Sequence, residues 1–203
     1  MIKIGTRSSE LALWQANTVA RQLKNLGHST KIIKIDSIGD QVLDKPLYEL
    51  GVTGVFTKSL DIALINGDID IAVHSLKDVP TKLPEGVIQA AVLKRGNYND
   101  VLILKKDENF FENEIATIAT GSLRRKAQWL HRYPKHNITG LRGNVNTRLQ
   151  KLKDNPWDGA IFALAGLSRI KLLPNKDRHI KLDWMVPAPA QGAIMIAALK
   201  KNN

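Results

Sequence analysis

An α/β fold in two domains is predicted for this chain on three observations. Apolar runs of strand length exchange regularly with stretches of helical spacing, the order that builds parallel sheets with helices on both faces. A polar segment, Lys94-Arg95-Gly96-Asn97-Tyr98-Asn99-Asp100, interrupts this exchange, and the same strand, turn and helix order then starts again. With 203 residues, the chain is long enough for two small domains with separate cores.

The elements follow in order. Ile2 to Thr6 alternates as a strand and ends in the polar turn Gly5-Thr6-Arg7-Ser8-Ser9, where Ser8 or Ser9 suits a helix cap. Ala12, Ala16, Val19, Leu23 and Leu26 fall at helical spacing, with Gly27 as the stop. Lys31 to Ile35 is the next strand. Gly39 to Gly54 has no period, contains Pro46 and reads as a long loop. Phe56, Leu60, Ala63 and Leu64 mark a second helix that stops near Asn66-Gly67. Ile69 to Val73 is a buried strand leading into His74-Ser75-Leu76-Lys77-Asp78-Val79-Pro80. Val87 to Leu93 and Val101 to Leu104 are strands on either side of the polar segment.

Beyond that segment a strand is expected at Thr117 to Ala119, a turn at Thr120-Gly121-Ser122, and a helix from Leu123. Leu123, Ala127 and Leu130 form its apolar face. Ile138 to Leu141 is a strand, and Arg142-Gly143-Asn144 opens a helix with Val145, Leu149 and Leu152 on one side. Gly159 to Leu164 reads as a strand and Ala165 to Ile170 as a short helix. Pro187 and Pro189 break the chain before an expected apolar helix from Gly192 to Leu199. The polar segment and the two prolines fit a pair of chain crossings. Domain 1 is then 1–93 plus 188–203, and domain 2 is 94–187.

Composition narrows the function classes. Thirty Lys+Arg against nineteen Asp+Glu leave a formal charge of +11, so an anionic partner is expected. No apolar run approaches the roughly 20 residues that span a bilayer, and the start lacks the apolar core of a secretory leader. The chain has no cysteine, which excludes disulfides and thiolate metal sites and leaves a cytoplasmic location as the expectation. Basic residues lie scattered at strand ends and no nucleic-acid motif is present, so neither a nucleic-acid nor a membrane partner is expected.

In parallel sheets, ligands bind beyond the carboxyl ends of strands, where turns meet helix N-termini. Several cations fall there. Arg7 follows the first strand, Lys77 and Asp78 follow the strand ending at Val73, and Ser122, Arg124 and Arg125 follow the strand ending at Ala119. Arg142 and Arg148 flank another helix start, and Arg169 follows Ala165-Gly166-Leu167. Any one of these fits a solvated loop cation. Together they suit a ligand with many carboxylates or phosphates. Asp78 is an acid among bases, and its neighbours favour the ionised form. It reads equally as a cap, a structural ion pair or a functional anion.

These segments carry a family resemblance. Thr6-Arg7-Ser8-Ser9, Leu11-Ala12-Leu13-Trp14-Gln15-Ala16, Asp70 to Pro80, Gly121-Ser122-Leu123-Arg124-Arg125, Leu141-Arg142-Gly143-Asn144-Val145, Thr147-Arg148-Leu149 and Gln191-Gly192-Ala193 resemble the porphobilinogen deaminase (hydroxymethylbilane synthase) family in the same order. The resemblance covers nearly the whole chain.

It implies two α/β domains like type II periplasmic binding proteins, with the site in a cleft between them. It implies a transferase of haem and tetrapyrrole biosynthesis that joins four porphobilinogen units into hydroxymethylbilane on a dipyrromethane cofactor. Lys77, Ser122, Arg124 and Arg125 would hold the acetate and propionate groups of that cofactor. Arg7, Arg142, Arg148 and Arg169, with Ser9 and Gln15, would hold substrate and growing chain. Asp78 matches the catalytic carboxylate. Loss of ammonia from the aminomethyl group leaves a cationic pyrrole, and a fixed anion stabilises that cation and helps move protons. Arginines hold carboxylates but repel the cation. No metal is implied, and a monomer is expected.

Departures from the family pattern bear on these expectations. The family attaches its cofactor through a thioether to a cysteine in a third domain. This chain has no cysteine and is expected to lack that domain, so activity in isolation is in question. Thr53 stands where a lysine is usual, Asn99 where an arginine is usual, and Ala197 where an acid is common. A non-catalytic module that binds a tetrapyrrole-like polycarboxylate is the rival reading.

Overall fold

The computed structural model describes residues 1–37, 54–105 and 115–200. The long loop expected over Gly39 to Gly54, and with it Thr53, lies outside the described residues except for Gly54. The chain divides into two compact units. Of the described residues, 1–37, 54–96 and 192–200 form the first and 97–105 and 115–191 the second.

In the first unit, β1 (Ile2–Thr6) leads into α1 (Glu10–Asn25), β2 (Thr30–Lys34), α2 (Lys58–Ile65), β3 (Ile71–Ser75), a short 3-10 turn (Leu76–Asp78) and β4 (Val87–Val92). The sheet is closed by β10 (Ile194–Leu199), in the order β2-β1-β3-β10-β4. β1 runs parallel to β2 and β3, while β10 is antiparallel to β3 and β4. Both faces are covered. Ile4, Val73 and Ile194 pack with Ala16 and Val19 of α1. Ala72, Met195 and Ala197 pack with Leu60, Ala63 and Leu64 of α2 on the other side. A fully buried Leu or Ile of this kind contributes about 1.5–3 kcal/mol over its exposed state.

This double burial corrects one expectation. Gly192 to Leu199 is not a helix, because β10 begins at Ile194 as a strand second from the edge of the sheet. Its odd and even side chains enter different cores, so the run is apolar throughout and periodicity does not separate it from a buried helix. The sheet is mixed and not wholly parallel for the same reason: the returning strand runs against its neighbours.

The second unit holds β5 (Asp100–Leu104), β6 (Thr117–Ala119), α3 (Leu123–Arg132), β7 (Asn137–Thr139), α4 (Val145–Asp154), β8 (Gly159–Ala163), α5 (Leu164–Arg169) and β9 (His179–Leu182). Its sheet order is β7-β6-β8-β5-β9. β6 is parallel to β7 and β8, whereas β5 is antiparallel to β8 and β9. Leu102 and Leu104 face a core with Ile118, Trp129, Ile161 and Met185. Val101 and Ile103 face another with Leu141, Phe162 and Leu167. β9 has no counterpart in the pattern reading, since Lys181 interrupts its short apolar run.

The face of α3 is a second correction. Leu123 is 55% exposed, whereas Arg125 and Trp129 are the buried residues of the helix. A buried arginine at an inward position hides the apolar stripe from a hydrophobicity count. Trp129 Nε1 donates to His136 Nδ1 at 3.3 Å, so the indole is satisfied in the core. His136 is held below its ordinary pKa by burial, offset in part by the Asp158 charge, which keeps its ring an acceptor.

Candidate active site

In the first unit, the carboxyl ends of β1 and β3 lie side by side, because the two strands are parallel with Ile4 opposite Ile71. Arg7 and the turn carrying Lys77 and Asp78 therefore share one edge of the sheet. The Arg7 guanidinium carbon lies 4.3 Å from the Phe56 ring centroid, a cation–π contact at the turn before α2. Ser9 is the cap of α1 and accepts from the Ala12 N–H at 3.4 Å. Gln15 is buried on α1, and its Nε2 donates to Ser75 Oγ at 2.8 Å, which ties the helix to the end of β3. Lys77 is exposed and Asp78 half-buried. Among the described residues, no hydrogen-bond or ion-pair partner engages the Asp78 carboxylate.

His74 belongs to this group although its sequence position drew no functional reading. It ends the buried part of β3, and burial together with the Arg7 charge pushes its pKa down to about 4. It is thus a neutral imidazole at pH 7. Its signal in the sequence was a histidine inside an apolar strand, which is more often a core residue than a site residue.

In the second unit, β6, β7 and β8 are parallel, so the segments after them also share an edge. Ser122 caps α3 and accepts from the Arg125 N–H. The preceding Gly121 is a position where a Cβ would lie 2.5 Å from the Leu141 carbonyl, so only glycine allows this close approach. Arg142 follows the buried Leu141, and Gly143 takes φ +109°, which sets Asn144 to cap α4 by accepting from the Thr147 N–H at 3.0 Å. Arg148 lies in the first turn of α4. Arg142 and Arg148 are half-buried, with the Nε of each shielded from solvent. Arg169 closes α5, one short helix beyond the strand end, and burial lowers its pKa without removing its charge.

Arg124 and Arg125 converge on Asp100, the fully buried first residue of β5. Arg124 Nη2 donates to Asp100 Oδ2 at 2.7 Å, and Nη1 to the Val186 carbonyl at 2.5 Å. Arg125 donates to Asp100 Oδ1 from Nη2 at 2.7 Å and from Nε at 3.1 Å, and to the Ile161 carbonyl from Nη1 at 2.9 Å. Gln191 Nε2 adds a bond to Asp100 Oδ1 at 2.9 Å and one to the Tyr98 carbonyl at 2.7 Å. Burial alone would raise the Asp100 carboxyl, but the Arg125 charge, the hydrogen bonds and Arg124 outweigh it and hold the pKa below its ordinary value. Asp100 and Gln191 escaped the sequence reading as partners because they are far apart in the chain and meet only at the crossings. Asn99, one of the family departures, is buried and donates to Asp183 Oδ1 at 3.1 Å. Ala197 lies in β10, buried against α2.

Each unit thus gathers its candidate residues at the carboxyl edge of its parallel strands: Arg7, Lys77 and Asp78, with the nearby Ser9 and Gln15, in the first, and a set of arginines with Ser122 in the second. The donors at these edges, guanidinium groups and capped helix starts, are of the kind that suits carboxylates. Among the described residues, no helix is long and apolar enough to cross a membrane, and no cluster of three His, Cys, Asp or Glu could hold a metal ion.

A family model described as porphobilinogen deaminase, dipyromethane cofactor binding domain, matches residues 2–203. A probable porphobilinogen deaminase of Methanocaldococcus jannaschii is 49% identical over 202 residues, covering 100% of this chain and 68% of its own length. The porphobilinogen deaminase of Syntrophotalea carbinolica is 43% identical, with 95% and 62% covered. The chloroplastic porphobilinogen deaminase of Oryza sativa subsp. japonica is 44% identical, with 100% and 59% covered. The chain therefore spans 59–68% of the length of these relatives. Among solved structures, the methionine binding protein MetQ is similar with a TM-score of 0.60 at 16% identity, covering 98% of this chain and 83% of that one. A periplasmic substrate-binding protein of an ABC transporter from Coxiella burnetii gives 0.59 at 16%, with 98% and 85% covered. At such identity these two neighbours speak to fold alone, that of a periplasmic binding protein.

Proposed function

The chain belongs to the porphobilinogen deaminase family, and on that premise we propose that it carries the cofactor-holding and catalytic residues of a hydroxymethylbilane synthase. The family match from residue 2 to residue 203, whose description names the dipyromethane cofactor, is the observation that carries this reading. Porphobilinogen is the proposed substrate. The same reading has the chain act as a monomer in the cytoplasm, with neither nucleic acid nor membrane as partner.

The residues present fit a dipyrromethane, whose acetate and propionate groups call for cationic donors. Lys77, Ser122, Arg124 and Arg125 are assigned to those groups, Arg125 with its guanidinium already committed to Asp100 and Ile161. When bound, the dipyrromethane supplies the free pyrrole carbon on which the product grows. Arg7, Arg142, Arg148 and Arg169 would clamp the carboxylates of porphobilinogen and of the lengthening product, with Ser9 and Gln15 ordering the Arg7 edge. Asp78 would stabilise the cation left when ammonia departs and take up the proton released on rearomatisation. With its lone pairs unclaimed by described neighbours, its carboxylate is available to a pyrrole N–H.

The test is a chimera that adds the remaining third of the Methanocaldococcus jannaschii relative, assayed for porphobilinogen consumption. Asp78→Asn should lower turnover by roughly 10²–10⁴-fold with an unchanged melting temperature, and Asp78→Glu should retain more activity. Normal turnover with early melting in Asp78→Asn would reassign that residue to structure. A module that binds a tetrapyrrole-like polycarboxylate without turnover is the second reading, since the outward-facing Arg124 would serve binding alone as well as catalysis. The isolated chain decides it: binding without consumption of porphobilinogen, in a chain whose chimera is also inactive, is its signature.

A further inference from the structure

We propose that Asp100 is the positioning residue of the anion site in the second unit, fixing both guanidinium groups of the Arg124–Arg125 pair so that one positive charge is presented outward through Arg124. This rests on the family reading above, which gives that site its ligand.

The first turn of α3 holds two arginines and no acid, although the positive end of a helix disfavours cations. Consecutive helix residues also point in different directions, so two adjacent guanidinium groups do not meet unless something gathers them. Asp100 does so. β5 runs antiparallel to β8 with Asp100 opposite Ala163, which sets the carboxylate at the sheet edge where α3 starts. Its Oδ1 takes Arg125 and Gln191, and its Oδ2 takes Arg124.

The two arginines are left in different states. Arg125 has 6% of its side chain exposed and bonds through Nε, Nη1 and Nη2 to the interior, so it acts on a ligand through Asp100 more than by reaching outward. Arg124 keeps 24% of its side chain exposed. Of the five N–H donors a guanidinium has, two are engaged by described residues. Two cations against one buried anion leave a net positive charge, and Arg124 is the member that can show it to a carboxylate. Gln191, which also holds the Tyr98 carbonyl, fixes the anchor itself.

The experiment uses the purified chain, ¹⁵N-labelled at arginine, with a synthetic dipyrromethane bearing acetate and propionate groups as the probe. Two guanidinium groups with resolved, hindered Nη protons are expected, assigned through Arg124→Lys and Arg125→Lys. Asp100→Asn should release both and weaken probe binding at least tenfold per folded molecule. In an Arg124→Leu background the same change should cost less than twofold, because Asp100 acts through Arg124. Probe affinity within twofold of the parent in folded Asp100→Asn would overturn the proposal, as would losses that multiply in the double variant. Should Asp100→Asn fail to fold, Gln191→Met tests the same anchor: a three- to tenfold loss of affinity with broadened guanidinium signals is expected, and unchanged signals and affinity overturn it. Failure of the parent chain to bind the probe would instead remove the family reading of the site. The signals then still report on Asp100, and their persistence in Asp100→Asn overturns its role.

Discussion

His74 is buried beside Arg7, and its depressed pKa makes a residue-level prediction about pH. Its folded value of about 4 lies below the ordinary 6.5, so the unfolded chain binds the extra proton more readily. The stabilisation is therefore complete above about pH 6.5 and is lost as pH falls towards 4, up to on the order of 3 kcal/mol. Melting temperature should drop over that window, and His74→Gln should flatten the drop; equal slopes in both proteins would contradict it. The arginines proposed to bind carboxylates yield a second prediction. A charge-assisted contact is worth about 1.5–3 kcal/mol. Arg124→Leu should mainly weaken cofactor retention and Arg148→Leu mainly the handling of porphobilinogen, as read by bound cofactor and KM in the chimera. At this scale the sequence was informative about which cations sit at strand ends, since strand-then-turn order fixes that locally. It was silent on Arg125 pointing inward, because the Asp100 that draws it in is 25 positions away.

The buried face of α3 was misread, and its orientation is testable by stability alone. Trp129 is fully buried among Leu102, Ile118 and Ile161, so Trp129→Ala should cost about 3–5 kcal/mol in urea unfolding. Leu123→Ala, at a position 55% exposed, should stay within about 0.5 kcal/mol. A larger loss at Leu123 than at Trp129 would restore the face read from Leu123, Ala127 and Leu130. Helix α4 shows the opposite case. Asn144, Val145, Leu149 and Leu152 announced both its cap and its inner side, because the apolar residues of its inner face are themselves at helical spacing. β10 failed for the reason that any strand covered on both faces does: Ile194 and Met195 serve different cores, so neighbours are alike in polarity. Ile69 and Leu141 mark smaller errors, being buried just before β3 and just after β7 and so read as part of them.

Across the whole molecule, the restart of the strand, turn and helix order after residue 100 made two α/β units legible. The antiparallel strands β5 and β10 were not, since their direction follows from where the chain crosses and not from local pattern. A formal charge of +11 bears on function at this scale. Cations gathered at the strand edges attract a polycarboxylate over several ångströms, and that attraction is screened within about 8 Å at physiological ionic strength. Affinity for an anionic pyrrole should accordingly fall as salt rises, and a salt-independent affinity would speak for apolar binding. The most direct measurement of the central claim is native mass spectrometry of the purified chain with a dipyrromethane, against the denatured mass of the same sample. The family reading predicts one dipyrromethane retained in the native spectrum and none in the denatured one, because the chain has no cysteine to form a thioether. Native mass unchanged at saturating ligand would contradict it.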